Sequence, residues 1–164
     1  MIGRSFENSA NQRLACKATF ALCLTILAGV SAGWANVGDG EDKIDDSYGN
    51  VVQRHLRDDG TVDMLYRKDK YLYFVVFDKG MSVLERYSRS DRADLSEKEI
   101  TKFLKANAGK GVTWTRADTD TANERKFERS DRKAEATCAK MNGRLTLTVR
   151  ALAAGSKEHG TGSE

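Results

Sequence analysis

Side-chain catalysis needs a nucleophile or an acid held by a positioned partner, and this chain offers few such pairs. Its two histidines are His55 and His159. A zinc site of His and Cys ligands requires more donors at recognisable spacing than His55 and Cys138 supply. There is no Gly-x-Ser-x-Gly elbow, and no serine or cysteine stands at a motif spacing from a histidine, so hydrolysis through such a nucleophile is disfavoured. The paired carboxylates Asp58-Asp59 and Glu97 with Glu99 fall at turns or in a first helical turn. Local hydrogen bonds and the helix dipole account for acids there. One acidic run is different. In Asp118-Thr-Asp120-Thr-Ala-Asn123-Glu124 the oxygens alternate like the start of a calcium loop. Asparagine replaces the sixth-position glycine, and Arg129 the twelfth-position glutamate. Asp118 and Asp120 are therefore the candidate metal ligands of an alternative reading, a metal-dependent module or enzyme using the loop 118–124. No cofactor motif accompanies them.

Binding chemistry is better represented. Arg67, Lys68, Lys70, Arg89, Arg92, Arg129, Arg132 and Lys133 gather at predicted strand ends beside Tyr66, Tyr71, Tyr87 and Phe127. Basic groups interleaved with aromatics can hold single-stranded nucleic acid. Here Asp69, Asp91 and Asp131 accompany them, and the formal charge of the whole chain is only +3, which disfavours a polyanion. The run Tyr71-Leu-Tyr-Phe-Val-Val-Phe77 is apolar at every position. A strand made from it needs cover on both faces: helices on one, and a loop, a second copy or a protein ligand on the other. Tyr71, Tyr73 and Tyr87, with Arg67 and Arg129 nearby, are the expected contact residues of an unknown protein partner or of self-association.

The elements that must position these residues are marked by turns. The chain has no proline, so Gly, Asn and Asp supply the punctuation. Asp59-Gly60, Asp78-Lys79-Gly80 and Asn142-Gly143 each separate β-prone runs, as tight hairpins require. Strands are expected near 51–56, 61–67, 71–77, 81–88, 112–116, 124–129, 134–141 and 144–150, and the short connections predict a mainly antiparallel sheet. Ser96 and Glu99 form a capping box, Leu95 and Ile100 a hydrophobic staple, and Gly109 a stop, predicting a helix over 96–108 packed on one face. A shorter helix or turn is expected over 41–48. The order of helix, strands and turns in 41–88 recurs in 96–150, which reads as a tandem α-β-β-β-β repeat. The fold class is α+β.

The N-terminal stretch has the order of a secretory signal: Arg4, Arg13 and Lys17, an apolar run from Ala18 to Val30, then Gly33-Trp34-Ala35. Cleavage is expected after Ala35. The apolar run is shorter than the roughly 20 residues of a spanning helix, so no membrane association is expected after cleavage. Two of the three net charges belong to this leader. The remainder forms one domain, 36–152, with one modest core and a disordered Gly/Ser/charged tail, 153–164. Cys138 is the domain's lone cysteine, expected as buried filler. The expected localisation is periplasmic or extracellular.

From Asp46 onward, Tyr48-Gly49, the run Tyr71 to Phe77 with its Asp78-Lys79-Gly80 turn, Leu95-Ser-Glu-Lys-Glu-Ile100, Leu104-Lys-Ala-Asn107, Trp114, Arg129 to Ala136 and Leu145-Thr-Leu-Thr148 resemble a family of small exported bacterial proteins of unknown function. A proline expected soon after Tyr48-Gly49 is absent, and Arg132 stands where a turn glycine is more usual. More distantly, a helix ending in an aromatic-Gly pair before strands is similar to the repeat of β-lactamase-inhibitor-like proteins and of small outer-membrane assembly lipoproteins, although the lipidated cysteine of the latter is missing. The resemblance implies a non-enzymatic exported binding or structural module.

Overall fold

A computed structural model describes residues 36–118, 121 and 124–152. The expected leader, 1–35, and the tail, 153–164, lie outside the described residues, as does Asp120. The elements run α1 (Glu41–Tyr48), β1 (Asn50–Leu56), β2 (Val62–Lys68), β3 (Tyr71–Asp78), β4 (Met81–Arg89), α2 (Glu97–Ala106), β5 (Trp114–Arg116), β6 (Glu124–Arg129), β7 (Ala134–Met141) and β8 (Arg144–Ala151). The strands form one sheet of order β1-β2-β3-β4-β8-β7-β6-β5, in which every ladder is antiparallel. The α+β class is therefore as the sequence predicts. Among the described residues no helix is long and apolar enough to cross a membrane.

Local chemistry explains the boundaries. At α2, the Ser96 backbone N–H donates to Glu99 Oε2 at 2.9 Å and the Glu99 N–H donates to Ser96 Oγ at 3.4 Å, completing the capping box. Ile100, Phe103, Leu104 and Asn107 are buried, while Lys98, Lys102 and Lys105 face water, the stripe expected of a helix on a sheet. The β7–β8 hairpin turns through Asn142 and Gly143 at φ 52° and 77°, as a two-residue primed turn demands. Lys79 and Gly80 do the same between β3 and β4 at 50° and 78°.

Both helices pack on one side of the sheet. The Tyr48 ring of α1 stacks on Tyr73 of β3 at 4.2 Å between centroids, and Phe103 of α2 stacks on Tyr87 of β4 at 4.5 Å. Val75, Phe77, Ala136, Cys138, Leu147 and Val149 fill the space beneath them. In β3 the burial alternates strictly: Tyr71, Tyr73, Val75 and Phe77 are buried, and Leu72, Phe74 and Val76 are half-exposed on the other side. A bulge between β3 and β4 at Val76/Phe77 shifts the register. It lets Ser82 and Glu85, three residues apart, both point into the core.

Candidate binding surface and the polar clusters behind it

The structure places the three expected contact tyrosines inside the molecule. Tyr71, Tyr73 and Tyr87 expose 7%, 4% and 1% of their surface, so the expectation that they form an accessible contact surface is corrected. The physical reason is parity. In an all-apolar strand either set of alternate residues can face the helices, and the helices take the tyrosines because a tyrosine supplies both ring area and a hydroxyl. All five tyrosines of the chain are core residues.

Their hydroxyls fasten the helices to the sheet. Tyr66 Oη donates to Asp45 of α1 at 2.6 Å, and Tyr71 Oη donates to Glu99 of α2 at 2.8 Å. Glu99 Oε1 also meets Arg89 Nη1 at 3.0 Å and Lys70 Nζ at 3.0 Å. Burial pushes the Glu99 carboxyl up. Donors from the Ser96 N–H, Lys70, Tyr71 and the Ser96 hydroxyl outweigh that effect and hold it well below the usual carboxylate range.

A second cluster is deeper. Glu85 Oε2 accepts from Tyr48 Oη and from Tyr87 Oη, each at 2.5 Å, and the two hydroxyls are 3.0 Å apart. Asn107 Nδ2 donates to Tyr87 Oη at 2.5 Å, while the Val37 N–H donates to Asn107 Oδ1 at 3.0 Å. Ser82 Oγ lies 3.3 Å from Glu85 Oε1 and 3.2 Å from the Asn36 carbonyl. Burial pushes the Glu85 carboxyl above its ordinary pKa despite those donors. The Ser82 hydroxyl donates toward Glu85 Oε1 and the Asn36 carbonyl, so each hydroxyl of the cluster has an acceptor. The Glu85 cluster is enclosed, the Glu99 cluster reaches the surface through Lys70 and Arg89, and the groups of both hold elements together.

Arg129 has a similar task. Its guanidinium bonds Asp131 at 2.8 Å and the Asn107 carbonyl at 3.2 Å, so the half-buried side chain clamps the end of α2. Arg89 pairs with Asp91 and reaches Glu99 at the start of the same helix. The tetrapeptide Arg-Ser-Asp-Arg occurs at 89–92 and at 129–132, and the aspartates accept from the N–H groups of Ala93 and Lys133. Arg92 and Arg132 both adopt positive φ, 66° and 56°. Arg132 thus occupies the left-handed position at which the family resemblance leads one to expect glycine. The repeated tetrapeptide was the available sequence signal for both clamps.

Arg67 is exposed, on the side of the sheet away from the helices. That side is the second face for which the all-apolar strand needs cover, and Leu65, Leu84 and Arg86 join it from the neighbouring strands. Register aligns Leu65, Phe74, Arg86, Thr148 and Thr137 in one row, and Val76, Leu84, Arg150 and Glu135 in the next. Leu65, Leu72, Phe74, Val76 and Leu84 form a half-exposed apolar patch over β2, β3 and β4. Next to it lies a groove of about 310 Å³ bordered by Arg86, Thr148, Arg150, Thr137 and Glu135.

Asp118 is exposed, and among the described residues no group of three or more His, Cys, Asp or Glu could hold a metal ion. His55 is an exposed residue of the edge strand β1. Cys138 is buried and free, as expected, with Arg125 Nη2 at 3.3 Å from its sulfur. Burial pushes the thiol's pKa up, the opposite of what a nucleophile needs. No family model, curated protein or solved structure matches the chain.

Proposed function

We propose that the chain is an exported, non-enzymatic protein-binding module whose contact surface is the sheet face opposite the helices. The observation that carries this reading is the half-exposed patch Leu65, Leu72, Phe74, Val76 and Leu84. Contiguous apolar surface on a soluble domain marks an interaction site more often than chance. An antiparallel sheet with both helices on its other side presents such a patch on a rigid platform. The enclosure of Glu85, Glu99 and Cys138 supports a role without catalysis. Export is supported by the basic, apolar and small-residue order of residues 4–35.

The domain descends, in this reading, from duplication of an α-β-β-β-β unit. Support comes from a strand order that counts inward from β1 and from β5 to a shared β4–β8 seam, from a helix preceding each set of four strands, and from the paired Arg-Ser-Asp-Arg turns.

Photo-cross-linking tests the binding face. Benzoylphenylalanine introduced at Leu72 or Val76 is expected to yield one discrete adduct in the native host, and at Lys102, on the helix side, none. The same adduct from Lys102, or none from either sheet position, would remove this reading. An adduct of twice the protomer mass would identify the partner as a second copy.

A further inference from the structure

Arg54, Arg57, Arg89, Arg125 and Arg129 each have a carboxylate within ion-pair distance. Arg86 is different. Its guanidinium lies 5.2 Å from the centre of the Phe74 ring, and its Nε donates to Thr148 Oγ1 at 3.3 Å. Its side chain borders the groove, and among the described residues it has no ion pair. Arg86 is half-buried in the middle of a strand rather than at a turn. Burial, and then the like charge of Arg150, lower its pKa. Arg150 neighbours it diagonally, because Leu84 opposes Arg150 while Arg86 opposes Thr148. A half-buried, planar guanidinium held by an aromatic face and a hydroxyl, with no carboxylate paired to it, is a receptor for a carboxylate or phosphate.

The surroundings choose between the two. Glu135 stands opposite Arg150, and Glu124 borders the same groove. These carboxylates, with Asp63, whose opposite charge acts on Arg86, disfavour a chain of phosphates, and a single carboxylate adds the least like charge. The apolar patch begins at the strand next to Arg86, so the ligand carries an apolar group beside its acid. Adjacent strands lie about 4.8 Å apart, and side chains two positions apart on an extended peptide share a face at about 7 Å. Resting on the binding-face reading, we infer that Arg86, with Thr148 and Arg150, seats an aspartate or glutamate of the protein partner whose apolar neighbour two residues away lies on Phe74 and Val76.

The test uses a blocked five-residue peptide with Phe and Asp two positions apart, and its Asn counterpart, titrated into ¹⁵N-labelled protein. The Asp peptide is expected to shift the Arg86 Nε–H and the Leu72, Phe74 and Val76 amides saturably, and to bind at least tenfold more tightly than the Asn peptide. Arg86→Gln is expected to reduce Asp-peptide binding to the Asn level while leaving the amide spectrum of the free protein otherwise unchanged. Equal affinity for the two peptides, or tighter binding of a thymidine octanucleotide, would overturn the inference. So would a Leu72 cross-link to the partner retained in full by Arg86→Gln, an outcome that leaves the binding face itself standing.

Discussion

Glu85 gives the sharpest quantitative test of the core. In Glu85→Gln the carbonyl still accepts from Tyr48 and Tyr87, and the amide NH₂ can donate to the Ser82 oxygen. The expected cost at low pH is within about 1 kcal/mol. In Glu85→Leu both tyrosine hydroxyls lose their common acceptor. Tyr48 can turn to Tyr87, 3.0 Å away, but the proton of Tyr87 then has no acceptor, because Asn107 already donates to that oxygen. One stranded buried donor costs about 1–3 kcal/mol.

The pH dependence separates the cases further. The folded carboxyl is raised above 4.5, so its contribution is fully present below the unfolded value and is lost as pH rises toward the folded pKa. In that window the wild type loses about 1.4 kcal/mol per pH unit relative to Glu85→Gln, which cannot ionise. Urea unfolding followed by tryptophan fluorescence from pH 4 to pH 8 measures the difference, in which the other titrating groups cancel. Parallel curves for wild type and Glu85→Gln across that range would refute the claim that burial raises the Glu85 carboxyl above its ordinary pKa.

The same contacts set other outcomes. Tyr71→Ala with Tyr73→Ala removes two core rings at about 3–5 kcal/mol each, against a total stability of roughly 5–15 kcal/mol. Calorimetry is expected to show no cooperative transition, whereas Leu72→Ser, on the opposite face, keeps one. Arg132→Gly relieves a left-handed residue and is expected to stabilise by about 1 kcal/mol, read as a rise of several degrees in Tm. On the acid side, the Arg89 guanidinium holds Asp91 down at about 2, and Glu99 is held low by its donors. Their contribution is present above the ordinary carboxylate pKa and is lost as pH falls toward 2. The urea midpoint is expected to drop between pH 5 and pH 2, and less steeply in Asp91→Asn. Intact-mass analysis of the exported protein is expected to place its N-terminus at Asn36.

Much of the architecture was legible because its signals are local. The capping box, the Asn142-Gly143 turn and the alternation Leu145, Leu147, Val149 each depend on residues a few positions apart. The side assignment of β3 was not, since Tyr71 to Phe77 is apolar at every position and only packing selects which parity is dry. Glu85 was hidden for a related reason. Flanked by Leu84 and Arg86, it reads as a surface residue until the bulge at Val76/Phe77 brings it and Ser82 to the same side. The need for cover on a second face of β3 was legible, but the patch itself was not, because it combines residues from three strands, and Arg86 gains meaning only beside Thr148, far along the chain.

The β4–β8 seam also bears on how the chain reaches this state. Every other ladder joins strands adjacent in sequence, while the seam joins Leu84–Tyr87 to Leu147–Arg150. Each half is thus a meander of hairpins that can zip on the microsecond scale, and the two meet through one long-range closure whose entropic cost precedes the contacts that offset it. Refolding is therefore governed by that encounter. Leu147→Ala, on the seam, slows it more than Met64→Ala, on β2, at equal loss of equilibrium stability.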